Sequence, residues 1–198
     1  PAPAVAEEAP ILVAQADGKG VPMVRPGTAN QKVRPRRGEV RSRKKTALVT
    51  ALYTIEAAPR TPEEVLRSLL QAQDGADEEP VWSTERQRPQ HKQLWATLSG
   101  KPTALAQLAK QVQKREGPHI RERVVLCDGD PHLQRRLLEI LPDFTLVLDF
   151  IHAYEYIWKA ANTLYGEGNP ERLAWVTEQT RLLLTNCCVQ LIDHLRDL

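Results

Sequence analysis

Short runs of β-branched and other apolar residues alternate with longer segments of helical periodicity, and this alternation constrains the fold more than any other feature. The strand-like runs are Ile11–Ala16, Val21–Arg25, Ala47–Ile55, Arg123–Cys127 and Phe144–Leu148. The helical segments are Thr61–Gln71, His91–Leu98, Thr103–Arg115, Leu133–Leu141 and Ile151–Tyr165, and a last helix begins at Glu171. Strands and helices that alternate in this way predict an α/β domain.

The order of these elements narrows the class of α/β fold. Asp17–Gly20 is rich in turn-forming residues and predicts a tight turn after the first strand. Three strands without an intervening helix predict an antiparallel meander, and the later crossovers place the following strands parallel to the first. The resulting order, β-β-β-α-β-α-β-α, predicts a ribonuclease-H-like mixed sheet.

Three of the strand-like runs end on an aspartate, namely Asp17, Asp128 and Asp149. Ligands of open α/β sheets collect beyond the carboxyl ends of the strands. If the strands before Asp17 and Asp128 are parallel neighbours, the two carboxylates face one small volume, where they suit Mg²⁺ or Mn²⁺. The alternative is that each Asp-Gly pair only forms a turn.

Two further acids have competing interpretations. Asp149 and His152 are spaced so that both lie on one face at the start of a helix, although Asp149 also fits a simple N-cap. Asp130 is the rival of Asp128, but Asp130 precedes Pro131 and is typical of an N-cap before a first-turn proline. We therefore prefer Asp128 as a metal ligand.

A basic stretch gives a second candidate surface in a chain whose net charge is only +2. Its cations are Lys32, Arg34, Arg36, Arg37, Arg41, Arg43, Lys44 and Lys45, with Glu39 as the single acid among them. Clustered arginine and lysine favour phosphate contacts that position DNA without reading its sequence. A solvated loop without a ligand is the alternative.

Several segments resemble Kra-type bacterial insertion-sequence transposases, relatives of the Mutator-like group. They are Ala16–Met23, Leu94–Ala96, Val125–Asp130, Phe144–Ala153 and Tyr156–Trp158. The resemblance implies a DDE-type enzyme that cleaves DNA strands and transfers them, using two Mg²⁺ or Mn²⁺ ions in the complete site. DNA is the implied partner, and the complete protein is expected to form a homo-oligomer on it.

The same resemblance assigns roles to individual residues. Asp17 and Asp128 correspond to the first two catalytic, metal-binding acids, and Asp149 and His152 to a motif that organises the site. The family's third acid, a glutamate, follows a long helical insertion, so it is expected beyond Leu198. Glu155, Glu167 and Glu178 lie too early to replace it. The fragment alone is therefore expected to be inactive.

Composition sets the remaining expectations. With 41% hydrophobic residues the chain can bury a core, and it lacks the run of about 18 apolar residues that a membrane span needs. A cytoplasmic, nucleoid-associated location follows from this and from the resemblance. The expected organisation is a linker over 1–10, a partial catalytic core over 11–165 and the start of a helical insertion over 166–198. Competing functions are a resolvase-type nuclease and a non-catalytic DNA-binding remnant.

Overall fold

A computed structural model describes residues 2–23, 44–73, 87–166 and 168–197, and these residues form an α/β protein. The strands are β1 Ile11–Pro22, β2 Lys44–Ile55, β3 Gln90–Thr97, β4 Glu122–Cys127 and β5 Thr145–Leu148. The helices are α1 Pro62–Gln73, α2 Lys101–Gln113, α3 Pro131–Ile140, α4 Phe150–Leu164, α5 Pro170–Leu184 and α6 Cys188–Arg196. A short 3-10 turn, Val5–Glu7, precedes β1.

The strands form one mixed sheet in the order β3-β2-β1-β4-β5. β1 pairs antiparallel with β2 over twelve positions, from Ile11 opposite Ile55 to Pro22 opposite Lys44. β2 pairs antiparallel with β3, whereas β1 pairs parallel with β4. The expected parallel return to the first strand is therefore present. The predicted meander is not, because Val21–Arg25 is not a separate second strand: Val21 and Pro22 continue β1.

Two further predictions about this sheet were wrong. Asp17–Gly20 does not form a turn, because β1 continues through it to Pro22 and every residue has a partner on β2. His91–Leu98 is not helical but lies mainly in β3, and α1 separates β2 from β3. Pairing with a neighbouring strand outweighed the local turn preference in the first case and the helical one in the second.

The main core lies between one face of the sheet and helices α2 and α3. Alternate residues of β1, such as Leu12 and Ala14, point into it, as the two-residue period of a strand requires. Leu108 of α2 and Leu137 of α3 are fully buried against them. The opposite face carries a smaller cluster built around Val13, Ala51 and Tyr53.

Helix starts follow local sequence signals. Thr61 and Glu64 form reciprocal hydrogen bonds at the start of α1, with Thr61 N–H donating to Glu64 Oε2 at 2.8 Å and Glu64 N–H to Thr61 Oγ1 at 3.2 Å. This capping box satisfies two N–H groups that the helix leaves free. Asn169 caps α5 in a similar way, ahead of Pro170. The N-cap predicted at Thr61 is confirmed.

The chain divides into two compact units. The first comprises Pro1–Glu56 and Arg88–Val147, and the second comprises Ala57–Gln87 and Leu148–Leu198. Within the second unit, Ile157 and Ala161 of α4 pack with Val176 of α5. The helical spacing of Tyr156, Trp158 and Tyr165 predicts core positions. Trp158 and Tyr165 pack around this cluster together with Trp175, whereas Tyr156 is 60% exposed, so the prediction is wrong for Tyr156. The boundaries predicted from the sequence stay predictions.

The segment before β1 contacts the core of the first unit. Glu8 forms a buried ion pair with Arg115, and Ala9 N–H donates to Thr54 Oγ1 at 3.2 Å. Composition alone predicted a linker here, so these contacts were missed. Among the described residues no helix is both long and apolar enough to cross a membrane.

Candidate metal and nucleic-acid site

The parallel register of β1 and β4 sets the positions of Asp17 and Asp128. The last pair of this register joins Ala16 to Cys127. Asp17 follows Ala16, and Asp128 follows Cys127, so the acids occupy equivalent positions just beyond the pair. Neighbouring strands lie about 4.8 Å apart. Asp128 therefore follows the carboxyl end of β4, whereas Asp17 lies beside it within β1, one residue beyond the region that pairs with β4.

The alternation of side chains assigns Asp17 to one face of the sheet. Ala16 and Cys127 are buried in the main core. Successive side chains along a strand point to opposite faces. Within β1 this alternation places Asp17 on the face away from α2 and α3, whereas Asp128 begins the loop directly after β4.

Asp17 is an exposed side chain within a continuous strand, with Val49 as its backbone neighbour on β2. Its carboxylate makes no hydrogen bond or ion pair with any residue that the structure describes. The turn interpretation of Asp17 is excluded because the backbone is extended here. Among the described residues, nothing competes with a cation for its two oxygens.

Asp128 is partly engaged by its own loop. Its Oδ1 accepts a hydrogen bond from the Asp130 N–H at 3.1 Å, and its backbone oxygen accepts one from Gln134 Nε2 at 3.0 Å. The first contact is the local turn that Asp-Gly sequences favour. It holds one carboxylate oxygen in place and leaves the second oxygen for another partner.

Asp130 has a structural role. Its Oδ1 accepts from the N–H groups of His132 and Leu133, which makes it the N-cap of α3, as predicted. Its Oδ2 accepts from Lys101 Nζ at 2.6 Å. The hydrogen bond from Lys101, followed by those from the two backbone N–H groups, holds the pKa of Asp130 below its ordinary value of 3.8. Both oxygens are in use, which supports the choice of Asp128 as the ligand.

Removing Lys101 should raise the pKa of Asp130. The lowered pKa means that these contacts stabilise the fold above pH 3.8 and that this stabilisation is lost as the pH falls through the lower value. In Lys101→Met, a carboxyl ¹³C NMR titration should show a pKa closer to 3.8. Lys110→Met, an exposed lysine of the same helix, is the control. An unchanged Asp130 pKa in Lys101→Met would contradict this role for Lys101.

Cys127 lies beside these acids but is unsuited to reaction. Burial, and then the charges of Asp128 and Asp130, raise the pKa of its thiol to about 11. A thiol with this pKa is protonated at neutral pH, and the thiolate is the form that attacks electrophiles or binds metal. The chemistry of this end of the sheet therefore rests on oxygen donors.

Asp149 and His152 lie in the second unit, so the register that joins Asp17 and Asp128 does not extend to them. Asp149 is the N-cap of α4, and its Oδ1 accepts from the Ile151 N–H at 3.0 Å. The His152 ring meets the Tyr156 ring edge-on at 5.8 Å. The N-cap alternative for Asp149 is thus present, and the site-organising role stays a prediction.

Of the basic stretch, only Lys44 and Lys45 fall within the described residues, where they begin β2 and are exposed. The other predicted DNA-binding residues lie outside the described residues: Lys32, Arg34, Arg36, Arg37, Arg41 and Arg43. Lys19 is a further exposed cation on β1 that the sequence analysis missed. The assignment of residues 17–20 to a turn hid its place in a strand.

The carboxylates just beyond the paired region of β1 and β4 fit part of a metal site. Two carboxylates at equivalent positions provide oxygen ligands of the kind that Mg²⁺ and Mn²⁺ prefer. Within residues 2–23, 44–73, 87–166 and 168–197, no group of three or more His, Cys, Asp or Glu side chains is placed to hold a metal ion. Asp17 and Asp128 would therefore act as a pair.

Comparison with known proteins adds no relative. No family model, curated protein or solved structure matches the chain.

Proposed function

We propose that this chain is part of a DDE-type DNA transposase, a metal-dependent enzyme that cleaves DNA strands and transfers them. The observation that carries the proposal is the register of β1 and β4, which brings Asp17 and Asp128 to equivalent positions one residue beyond the last pair of the two parallel strands. A turn-forming role alone does not require two distant Asp-Gly sequences to meet at one end of the sheet.

The sheet supports a ribonuclease-H-like core. Its order of β3-β2-β1-β4-β5 combines three antiparallel strands with a strand that returns parallel to the first. The parallel return of β4 to β1 agrees with the prediction, whereas the antiparallel part is built from other segments than those predicted and includes α1 between β2 and β3. Because one fold hosts many activities, the acids carry the functional argument and the sheet only positions them.

In this proposal Asp17 and Asp128 hold Mg²⁺ or Mn²⁺ at the end of the sheet. When bound, a pair of such ions activates a water or a 3′-hydroxyl and stabilises the leaving oxygen of a phosphodiester. The extended backbone of β1 fixes the direction of Asp17, and the hydrogen bond from the Asp130 N–H fixes one oxygen of Asp128. Positioning of this kind supplies much of the rate of phosphodiester chemistry.

Two further parts of the proposal depend on the resemblance to transposases. Asp149 and His152 organise the site in the complete protein, and cations of the basic stretch, Lys45 among them, bind the DNA backbone. Lys45 is exposed near the start of β2, which is compatible with phosphate contacts. A homo-oligomer on DNA is expected for the complete enzyme.

Metal binding by the 198-residue chain tests the proposal. Mn²⁺ titration, followed by electron paramagnetic resonance, should detect weak binding that Asp17→Asn and Asp128→Asn each reduce. The reduction should reach at least about tenfold, because even the partners that orient metal ligands contribute about 10- to 100-fold. Asparagine keeps the shape of aspartate and removes the charge that attracts the cation.

Asp130→Asn is the matched control, since it lies in the same loop and asparagine is as good an N-cap as aspartate. Its Mn²⁺ affinity should stay within about twofold of wild type, because Asp130 is not a proposed ligand and Lys101 already offsets the charge of its carboxylate. If Asp130→Asn weakens binding as much as Asp128→Asn does, or if wild type binds no Mn²⁺, the proposed site is wrong.

A further inference from the structure

The hairpin of β1 and β2 extends beyond the rest of the sheet. β4 pairs with β1 only as far as Ala16, and β3 pairs with β2 only from Leu48 onward. Residues 19–22 and 44–47 pair with each other and, among the described residues, with no third strand. We call these eight residues the β-ribbon. It begins two residues beyond Asp17, about 7 Å along the strand.

The two faces of the β-ribbon carry different side chains. Lys19 and Val21 lie on the same face of β1 as Asp17, because they are separated from it by two and four residues. Lys45 is opposite Val21 in the register and therefore shares this face. Lys19 and Lys45 are diagonal neighbours, a relationship that separates residues by about 7–8 Å.

Lys44 lies on the other face. A methyl group added at Gly20 would be 3.6 Å from Lys44 Cδ, so the stem of Lys44 runs along the glycine side of the β-ribbon. A methyl group at Gly18 would similarly be 3.5 Å from Thr46 Cγ2. Consecutive lysines of β2 thus point to opposite sides, and only Lys45 is on the side of Asp17.

The Asp17 face combines unpaired cations with the candidate metal site. Lys19 and Lys45 are exposed, and neither forms an ion pair within the described part of the chain. If one DNA phosphate is held at Asp17 and Asp128, the neighbouring phosphates need positive side chains nearby to offset their negative charge. Lysine provides a flexible point charge for such contacts without demanding one geometry. The Lys44 face offers one lysine and no carboxylate.

We propose that the Asp17 face of the β-ribbon is a DNA-backbone interface, in which Lys19 and Lys45 position the strand that enters the site and Lys44 does not take part. This inference rests on the proposed function and deepens it, because it assigns a side and a direction to the bound DNA. Lys19 and Lys45 are positioning residues that contact phosphates and read no sequence. A two-stranded ribbon is also narrow enough to lie in a major groove.

The test compares two neighbouring lysines that differ in the face they occupy. Binding of the 198-residue chain to a fluorescent DNA duplex is measured by anisotropy over a range of salt concentrations. Lys45→Gln and Lys19→Gln should each reduce the slope of log K against log salt by about 1, and the double variant by about 2. Lys44→Gln removes the same charge one residue away and should leave the slope unchanged.

The possible outcomes separate this inference from the function on which it rests. If the wild-type chain binds the duplex but Lys44→Gln and Lys45→Gln change the salt slope equally, the proposed interface is wrong and DNA binding still stands. The same conclusion follows if neither variant changes the slope. A wild-type chain that binds no duplex overturns both. Circular dichroism of each variant establishes that the fold is retained.

Discussion

Replacing Arg115 by methionine is expected to lower the free energy of unfolding of the first unit by about 3–5 kcal/mol, the usual cost of removing one partner from a buried ion pair. Arg115 Nη2 lies 2.8 Å from Glu8 Oε2, and the two side chains are 1% and 2% exposed. Without Arg115, the Glu8 carboxylate would be a buried charge with no counterion.

Arg115 also joins separate parts of the first unit. Its Nη1 donates to the backbone oxygen of His91 at 3.0 Å and to that of Leu52 at 3.4 Å, and its Nη2 donates to Thr54 Oγ1 at 3.4 Å. The guanidinium thus connects the segment before β1 to strand β2 and to the start of β3. Methionine fills a similar volume but offers none of these donors, so the carbonyl oxygens lose partners as well.

Native-state hydrogen exchange of β2 amides measures this loss within the first unit alone. Arg123→Met is the matched control, because Arg123 forms an ion pair of the same 2.8 Å length with Glu116 but at the surface, with side chains 27% and 32% exposed. It should cost less than about 1 kcal/mol. A double variant, Glu8→Met with Arg115→Met, should recover part of the loss since no charge stays buried. Equal costs for Arg115→Met and Arg123→Met would contradict the interpretation.

Local patterns predicted most of the later elements. The apolar run before Asp128 became β4, the segment after Asp130-Pro131 became α3, and the N-cap of α3 is the residue expected. These signals depend only on residues that are close together in the sequence, so the tertiary fold does not override them here. The parallel return of β4 to β1 followed from the handedness of crossovers.

These local patterns could not predict interactions between residues that are far apart in the sequence. Gly18 and Gly20 indicated a turn, but pairing with the whole of β2 keeps β1 extended. β3 contains Gln90, Lys92 and Gln93, which have low strand propensity, and an edge position tolerates them. The Glu8–Arg115 pair spans 107 positions, and neither residue has a local pattern that points to the other.

The candidate site likewise has parts that local patterns could predict and parts that depend on distant residues. Asp17 and Asp128 could be chosen because each follows an apolar run, and this choice needed no information beyond the sequence. The phosphate-contacting role that we propose for Lys19 could not be predicted from the sequence, because it depends on how far β1 and β2 pair. Asp149 illustrates the limit of a local pattern, because a helix cap and a site-organising carboxylate have the same sequence signature.

In a longer chain that includes the expected glutamate, Asp17→Asn and Asp128→Asn should each reduce DNA strand cleavage by more than about a hundredfold. A displacement of about 1 Å in a reacting group can cost that much. Asparagine retains the size of each side chain but removes the negative charge that holds a divalent cation, so the reacting oxygens would no longer be held in line. Under the proposed function the 198-residue chain should show no cleavage with Mg²⁺ or Mn²⁺, because the transposases that it resembles use three acids and only Asp17 and Asp128 are assigned to such roles.

Asp149→Asn and His152→Ala separate positioning from metal binding in that longer chain. Asparagine at 149 preserves the N-cap of α4, so a loss of activity there would not reflect a lost helix. Both variants should lower the cleavage rate less than Asp17→Asn does. They should leave Mn²⁺ affinity unchanged, because in the proposal these residues position other groups of the site and do not bind the metal. Cleavage is followed on a labelled DNA substrate in single-turnover assays. Full activity of Asp128→Asn, or cleavage by the 198-residue chain at the rate of the longer one, would show that the roles given to Asp17 and Asp128 are wrong.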